Sequence, residues 1–151
     1  MQLAHYLRLL HSSELSLAAA FEQVAAARVD EVDVKHSCDR HAGHCHEHAR
    51  ELKPFIARYD ESASDEPEHR RIELFAGPHR GELGLLRDLH DLYLLATQCS
   101  VVWTVIGQAA QGARDQQLLH LVHICEAQTT MQAAWLKTRM KSAATQALIV
   151  A

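Results

Sequence analysis

LLRDLHDLYLLATQCSVVWTVIGQ, residues 85–108, is the most informative run in the chain. Its apolar residues recur at the period of an α-helix, so that Leu85, Leu89, Leu92, Ala96, Cys99, Trp103 and Ile106 fall on one face. The spacing predicts a helix from about Pro78 or Gly81 to Gln108, weakened locally by Gly84 and Gly107. From Leu92 to Ala113 there is no charged residue, a length that formally matches a bilayer crossing. Thr97, Gln98, Ser100, Thr104, Gln108 and Gln111 are too many polar groups for a lone lipid-facing helix, and the segment reads as the central helix of a bundle instead.

Three further segments share this periodicity. A first helix is expected from Ser12 or Ser13, either of which can cap it, to about Arg28, with Leu10, Leu17, Phe21 and Val24 on one face and Glu14 at its edge. The acidic stretch Asp30, Glu31 and Asp33 breaks the pattern and offers Asp33 as the next cap. A second helix follows from Val34 to Tyr59, its stripe formed by Val34, Cys38, Cys45, Leu52, Phe55, Ile56 and Tyr59, with His41 and His48 on the same stripe. Pro54 removes one backbone hydrogen bond there and is expected to kink or shorten the helix. Residues 60–77 form a long connection, compatible with a crossover or a hairpin, in which Arg71 to Phe75 has the pattern of a helical turn. A fourth helix spans about Arg114 to Ala144 with Leu118, Leu121, Val122, Cys125, Thr129, Gln132, Leu136 and Met140 inward, and the apolar tail Ala147–Ala151 is expected to be extended or frayed.

These elements define an all-α chain: one antiparallel four-helix bundle domain over residues 1–151, with a long connection between helices 2 and 3. Composition agrees, because 48% hydrophobic residues with only 5% aromatics, six Gly and three Pro make a Leu- and Ala-rich helical core. A net charge of −4 argues against nucleic acid as a partner. Arg8, His11 and Glu14 interrupt any apolar signal segment, so a cytoplasmic location is expected, with Cys38, Cys45, Cys99 and Cys125 as free thiols.

The strongest anomaly is histidine. Twelve occur in 151 residues, and His36, His41, His44, His46 and His48 lie together beside two cysteines. Imidazole and thiolate are ready ligands for transition metals, and helical spacing puts His41, Cys45 and His48 on one face, with His44 and Glu51 on its flank. His36 and His46 project elsewhere, and His120 and His123 point away from the core. Matching levels in the simplest up-down-up-down bundle sets Leu17 opposite Cys45, Glu14 opposite His48, and Cys99 near Cys125. The candidate metal ligands are therefore His41, His44, Cys45, His48, Glu51, Glu14, Cys99 and Cys125, for zinc, copper or iron, with Gln128, Thr129 or Gln132 as hydrogen-bond partners to a ligating imidazole. The opposing reading makes these histidines a solvated surface and the cysteines small buried hydrophobes.

The helical layout, the long second connection and the inward polar residues resemble the ferritin-like and haemerythrin-like four-helix bundles. That resemblance implies a metal ion held between helices. The di-iron Glu-x-x-His pattern occurs only at Glu66 and His69 in the connection, while His48-x-x-Glu51 and His123-x-x-Glu126 are reversed. No phosphate-binding glycine loop, His-Glu-x-x-His or nucleophile elbow is present, and Asp88 and Asp91 read as complements to the positive end of a helix dipole. Two alternatives stay open beside the metal reading. One is a cofactor-free bundle that dimerises through Leu86, Leu94, Ile124 and Trp135; the other is a thiol redox sensor, which needs an exposed thiol of low pKa.

Overall fold

In a computed structural model that describes residues 2–60 and 75–150, the chain forms α1 (Gln2–Ala27), α2 (Val32–Tyr59), α3 (Gly81–Gly112) and α4 (Gln116–Thr145). The expected helical turn at Arg71 to Phe75 lies outside the described residues, except for Phe75 itself, which is not helical. Polar ties fix the direction of each helix. Arg28, just past α1, donates from Nη2 to the carbonyl oxygens of His79 at 2.8 Å and Gly81 at 3.1 Å, joining the end of α1 to the start of α3. Arg58 reaches Asp115 at 2.7 Å, so the end of α2 meets the start of α4, and Arg139 reaches Asp33 at 2.9 Å at the opposite end.

Hence α2 and α3 run the same way, and the chain order is up-down-down-up rather than the simplest up-down-up-down. The end of α2 and the start of α3 therefore lie at opposite ends of the bundle, about 40 Å apart for a helix the length of α2 at ~1.5 Å per residue. Because α2 and α3 sit diagonally, α1 against α2 and α3, and α4 against α3 and α2, are all antiparallel pairs.

The helix ends differ from expectation for local reasons. α1 begins at Gln2 rather than at Ser12 because Leu3 and Leu7 continue its buried stripe, and Ser13 donates to the Leu9 carbonyl instead of capping. α2 starts at Val32, and Asp33 in its first turn pairs with Arg139 rather than capping. Pro54 does not end α2, whose following Phe55, Ile56 and Tyr59 pack on the core. Asp115 is a true cap, its Oδ1 accepting the Leu118 N–H at 3.0 Å. The tail closes as one π-helical turn, Gln146–Val150, rather than extending.

Packing is uneven around the four seams. α1 and α2 approach closely because Ala18, Ala25, Ala42 and Ala49 are buried between them. α3 and α4 also approach closely: a methyl at Gly107 would stand 3.1 Å from Val122. Between α2 and α4 the residues are long, with Gln128, Gln132 and Trp135 reaching α2, and the two backbones stay farther apart than at the other seams. A groove therefore runs along that one seam. α3 is long and apolar enough to cross a membrane, yet its stripe from Leu85 to Ile106 is the wall of this shared core.

Candidate functional site

Each helix brings a polar or sulfur-bearing side chain to the centre of the bundle. Glu14 comes from α1, Cys45 and His48 from α2, Cys99 and Trp103 from α3, and Cys125 and Gln132 from α4; none is more than 2% exposed. Glu14 is fixed by Trp103, whose indole Nε1–H donates to Oε1 at 2.8 Å. A buried tryptophan needs an acceptor, and a buried carboxylate needs donors, so each accounts for the other. His48 is fixed from the far side: its Nε2 lies 2.6 Å from Gln128 Oε1, an acceptor, which makes Nε2 the protonated nitrogen. The other nitrogen, Nδ1, stands 3.2 Å from Glu14 Oε1, close enough for charge pairing but misaligned for a hydrogen bond.

The thiols surround this pair. Gln132 donates from Nε2 to Cys45 Sγ at 3.5 Å, and Thr129 donates to the Cys125 carbonyl at 2.8 Å. Burial pushes the Cys45 and Cys99 thiols well up, with the Glu14 charge adding to it. Burial alone lowers His48, but Cys125 and Glu14 together outweigh it and hold its pKa at about 10. Three buried atoms at this centre have no hydrogen-bond partner among the described residues: Glu14 Oε2, His48 Nδ1 and Gln132 Oε1. As the side chains stand, no group of three or more His, Cys, Asp or Glu among the described residues is arranged to hold an ion.

The predicted ligands thus divide. Glu14, Cys45, His48, Cys99 and Cys125 are all buried in the core, and of these Glu14 and His48 stand as a close pair. Glu51 is exposed. His41 and His44 face the α2–α4 groove together with His36, Ser37, Arg40, Gln128, Met131 and Trp135. There His41 lies between Phe21 and Trp135, with ring centroids at 5.4 and 5.3 Å and the ring planes tilted, and burial, His44 and Arg40 depress its pKa to about 4. His46 is exposed and pairs with Glu22. The fourth thiol, Cys38, is buried toward the Asp88 end, where burial and then Asp39, Asp33 and Asp88 push it up to about 12.

Two features escaped the sequence reading. Trp103 could have been found, since an indole on a core stripe demands an acceptor and Glu14 stands at the edge of the α1 core face. Asp88 was read as a partner of the helix dipole, whereas it is wholly buried and grips the His79 backbone N–H at 3.0 Å and the His79 ring at 2.7 Å, with Arg28 at 3.8 Å. That clasp belongs to the end of the bundle and closes α3 onto α1. Comparison with known proteins adds nothing to this geometry: no family model, no curated protein and no solved structure matches the chain.

Proposed function

We propose that the chain is a metal-binding four-helix bundle that holds one zinc or copper ion at its centre. One observation carries this reading: among the described residues Glu14 Oε2, His48 Nδ1 and Gln132 Oε1 are buried beside thiols without a hydrogen-bond partner, while the other polar atom of each side chain is tied down. Trp103 holds Glu14 Oε1 and leaves Oε2, while Gln128 holds His48 Nε2 and leaves Nδ1. Leaving such groups unsatisfied costs about 1–3 kcal/mol each, and metal coordination is a direct way to satisfy them. Glu14, Cys45 and His48, with Cys99 or Cys125, would supply the ligands after small side-chain rotations. This mixed sulfur, nitrogen and oxygen set suits zinc or copper rather than magnesium or calcium. The parallel direction of α2 and α3 is compatible with a ferritin-like bundle, whereas the donor set is richer in sulfur than a di-iron site.

Because the thiols and His48 hold protons in the free protein, loading must release them, and affinity must rise with pH. The test is elemental analysis of untagged protein, followed by titration of chelator-treated protein with cobalt(II). One equivalent giving the intense near-ultraviolet absorption of thiolate-bound cobalt, weakened in Cys45→Ser and lost when Cys45, Cys99 and Cys125 are all replaced by Ser, is expected. Absence of any bound metal together with no such absorption would reject the site. The redox-sensor alternative finds no support in the geometry, since all four thiols are buried and three have raised pKa values.

A second reading, self-association, rests on a different observation and is compatible with the first. Leu83, Leu94, Val101 and Val105 form one exposed apolar stripe along α3, and Ile124 of α4 is also exposed. A dimer through this face would cover it. Trp135 does not contribute, because it lines the groove, and Leu86 is half-buried. Sedimentation at micromolar concentration tests this: dimer for the native chain and monomer for Val101→Glu.

A further inference from the structure

The α2–α4 groove adjoins the buried centre, with Gln128 as their shared wall, and is chemically unlike it. Its volume is about 190 Å³, below the ~300–1,000 Å³ of sites for drug-sized molecules, which restricts an occupant to about one ring. Among the described residues, Arg40 is the one permanently charged side chain that lines it, and none of the lining residues is a carboxylate. Trp135 and His41 provide ring faces, and His44 and Ser37 provide short polar groups. His41 is only 8% exposed and its Nδ1 has no hydrogen-bond partner among the described residues. Gln128, whose Oε1 is engaged by His48, keeps its amide N–H groups as donors at the groove wall.

We propose that this groove binds a small planar organic anion, a one-ring aromatic carboxylate, with Arg40 on the carboxylate and the ring against Trp135 and His41. A guanidinium presents a planar pair of donors that matches a carboxylate, and a neighbouring aromatic face excludes water on one side of the ring. The same cation disfavours metal ions and amines here, so the groove is not a second copy of the central site. The inference does not rest on metal at that site and survives if the centre proves empty.

The experiment uses benzoate as the probe and benzylamine as its counterpart of similar shape and opposite charge, with the full chain in about 0.1 M chloride to screen non-specific attraction. Benzoate is expected to quench tryptophan fluorescence saturably, with a Kd of roughly 10 mM or tighter, and to shift the His41 ring signals in NMR. Arg40→Gln, an exposed helix position that leaves folding intact, is expected to weaken benzoate at least tenfold, whereas benzylamine shows no saturation. Trp135→Phe separates quenching at this groove from quenching at Trp103: the fluorescence response disappears while the NMR shift of His41 persists. Absence of saturation with benzoate, equal binding of benzylamine, or unchanged affinity in Arg40→Gln would overturn the assignment.

Discussion

Glu14→Gln tests the central pair with little change of shape. Glutamine keeps the oxygen that accepts from Trp103 and removes the charge beside His48. In the native chain burial works against a charged His48, yet Cys125 and Glu14 hold its pKa at about 10. A folded pKa above the unfolded value of ~6.5 gives stabilisation that is complete below ~6.5 and is lost as pH rises through the folded value. At pH 7 the interval up to about 10 amounts to roughly 4 kcal/mol. His48 is 1% exposed, so solvent screening does not reduce this much. Cys125 supplies part of it, and Glu14→Gln is expected to cost about 2–3 kcal/mol at neutral pH. Urea unfolding of chelator-treated protein between about pH 6 and pH 10 measures it. The native chain should lose stability steadily from about pH 6.5 to pH 10, and the variant should give a much flatter profile. A variant within about 0.5 kcal/mol of the native chain at pH 7, or one with the same slope toward pH 10, would refute the pairing.

The acid side belongs to His41. Burial, then His44 and Arg40, hold its pKa near 4, so stability is complete above ~6.5 and falls as pH drops toward about 4, by up to roughly 3 kcal/mol; thermal melts at two pH values should show His41→Leu to be far less acid-sensitive than the native chain. Gly43 lies in α2 with nothing within 4 Å of an added methyl, and Gly43→Ala should raise the denaturation midpoint by about 0.5–1 kcal/mol of stability. Gly84→Ala should do the reverse by about 1–3 kcal/mol, because its methyl would stand 2.7 Å from the His79 backbone. Asp88→Asn should destabilise by about 3 kcal/mol, with faster amide exchange at the start of α3 as the local signature, since Arg28 and His79 both lose their anion.

The helices themselves were legible because their buried faces repeat at 3.6 residues, and this held where local signals pointed elsewhere. Ser12 and Ser13 looked like a start, but a serine inside a helix can return its hydroxyl to the preceding turn, and Ser13 does so. Pro54 looked like a stop, but the apolar residues after it gain enough packing to keep α2 intact. What periodicity could not supply was direction. Each stripe faces the core equally well with its helix reversed, and the pairs that set direction, Arg28 with His79 and Arg58 with Asp115, join residues more than fifty positions apart.

That gap explains why the centre could be approximated and the ends could not. Glu14, Cys45, Cys99 and Gln132 stand near the middle of α1 (Gln2–Ala27), α2 (Val32–Tyr59), α3 (Gly81–Gly112) and α4 (Gln116–Thr145). Reversing a helix about its midpoint exchanges its ends and leaves its middle layer nearly in place. An up-down-up-down assumption therefore still placed Glu14 against His48 and the two thiols Cys45 and Cys99 at one level, although the chain runs up-down-down-up. The same assumption sends the start of α3 to the wrong end of the bundle, so Asp88 could not be matched with Arg28. Reading side-chain facing adds the remaining limit. His41 and His48 share a stripe by spacing, but α2 has tight α1 on one side and the open α4 seam on the other, and two turns apart along it His48 meets Glu14 at the centre while His41 lines the groove. A one-helix projection sees a single cluster of histidine there, whereas the packed bundle separates a buried donor beside a carboxylate from a groove-lining ring beside an arginine.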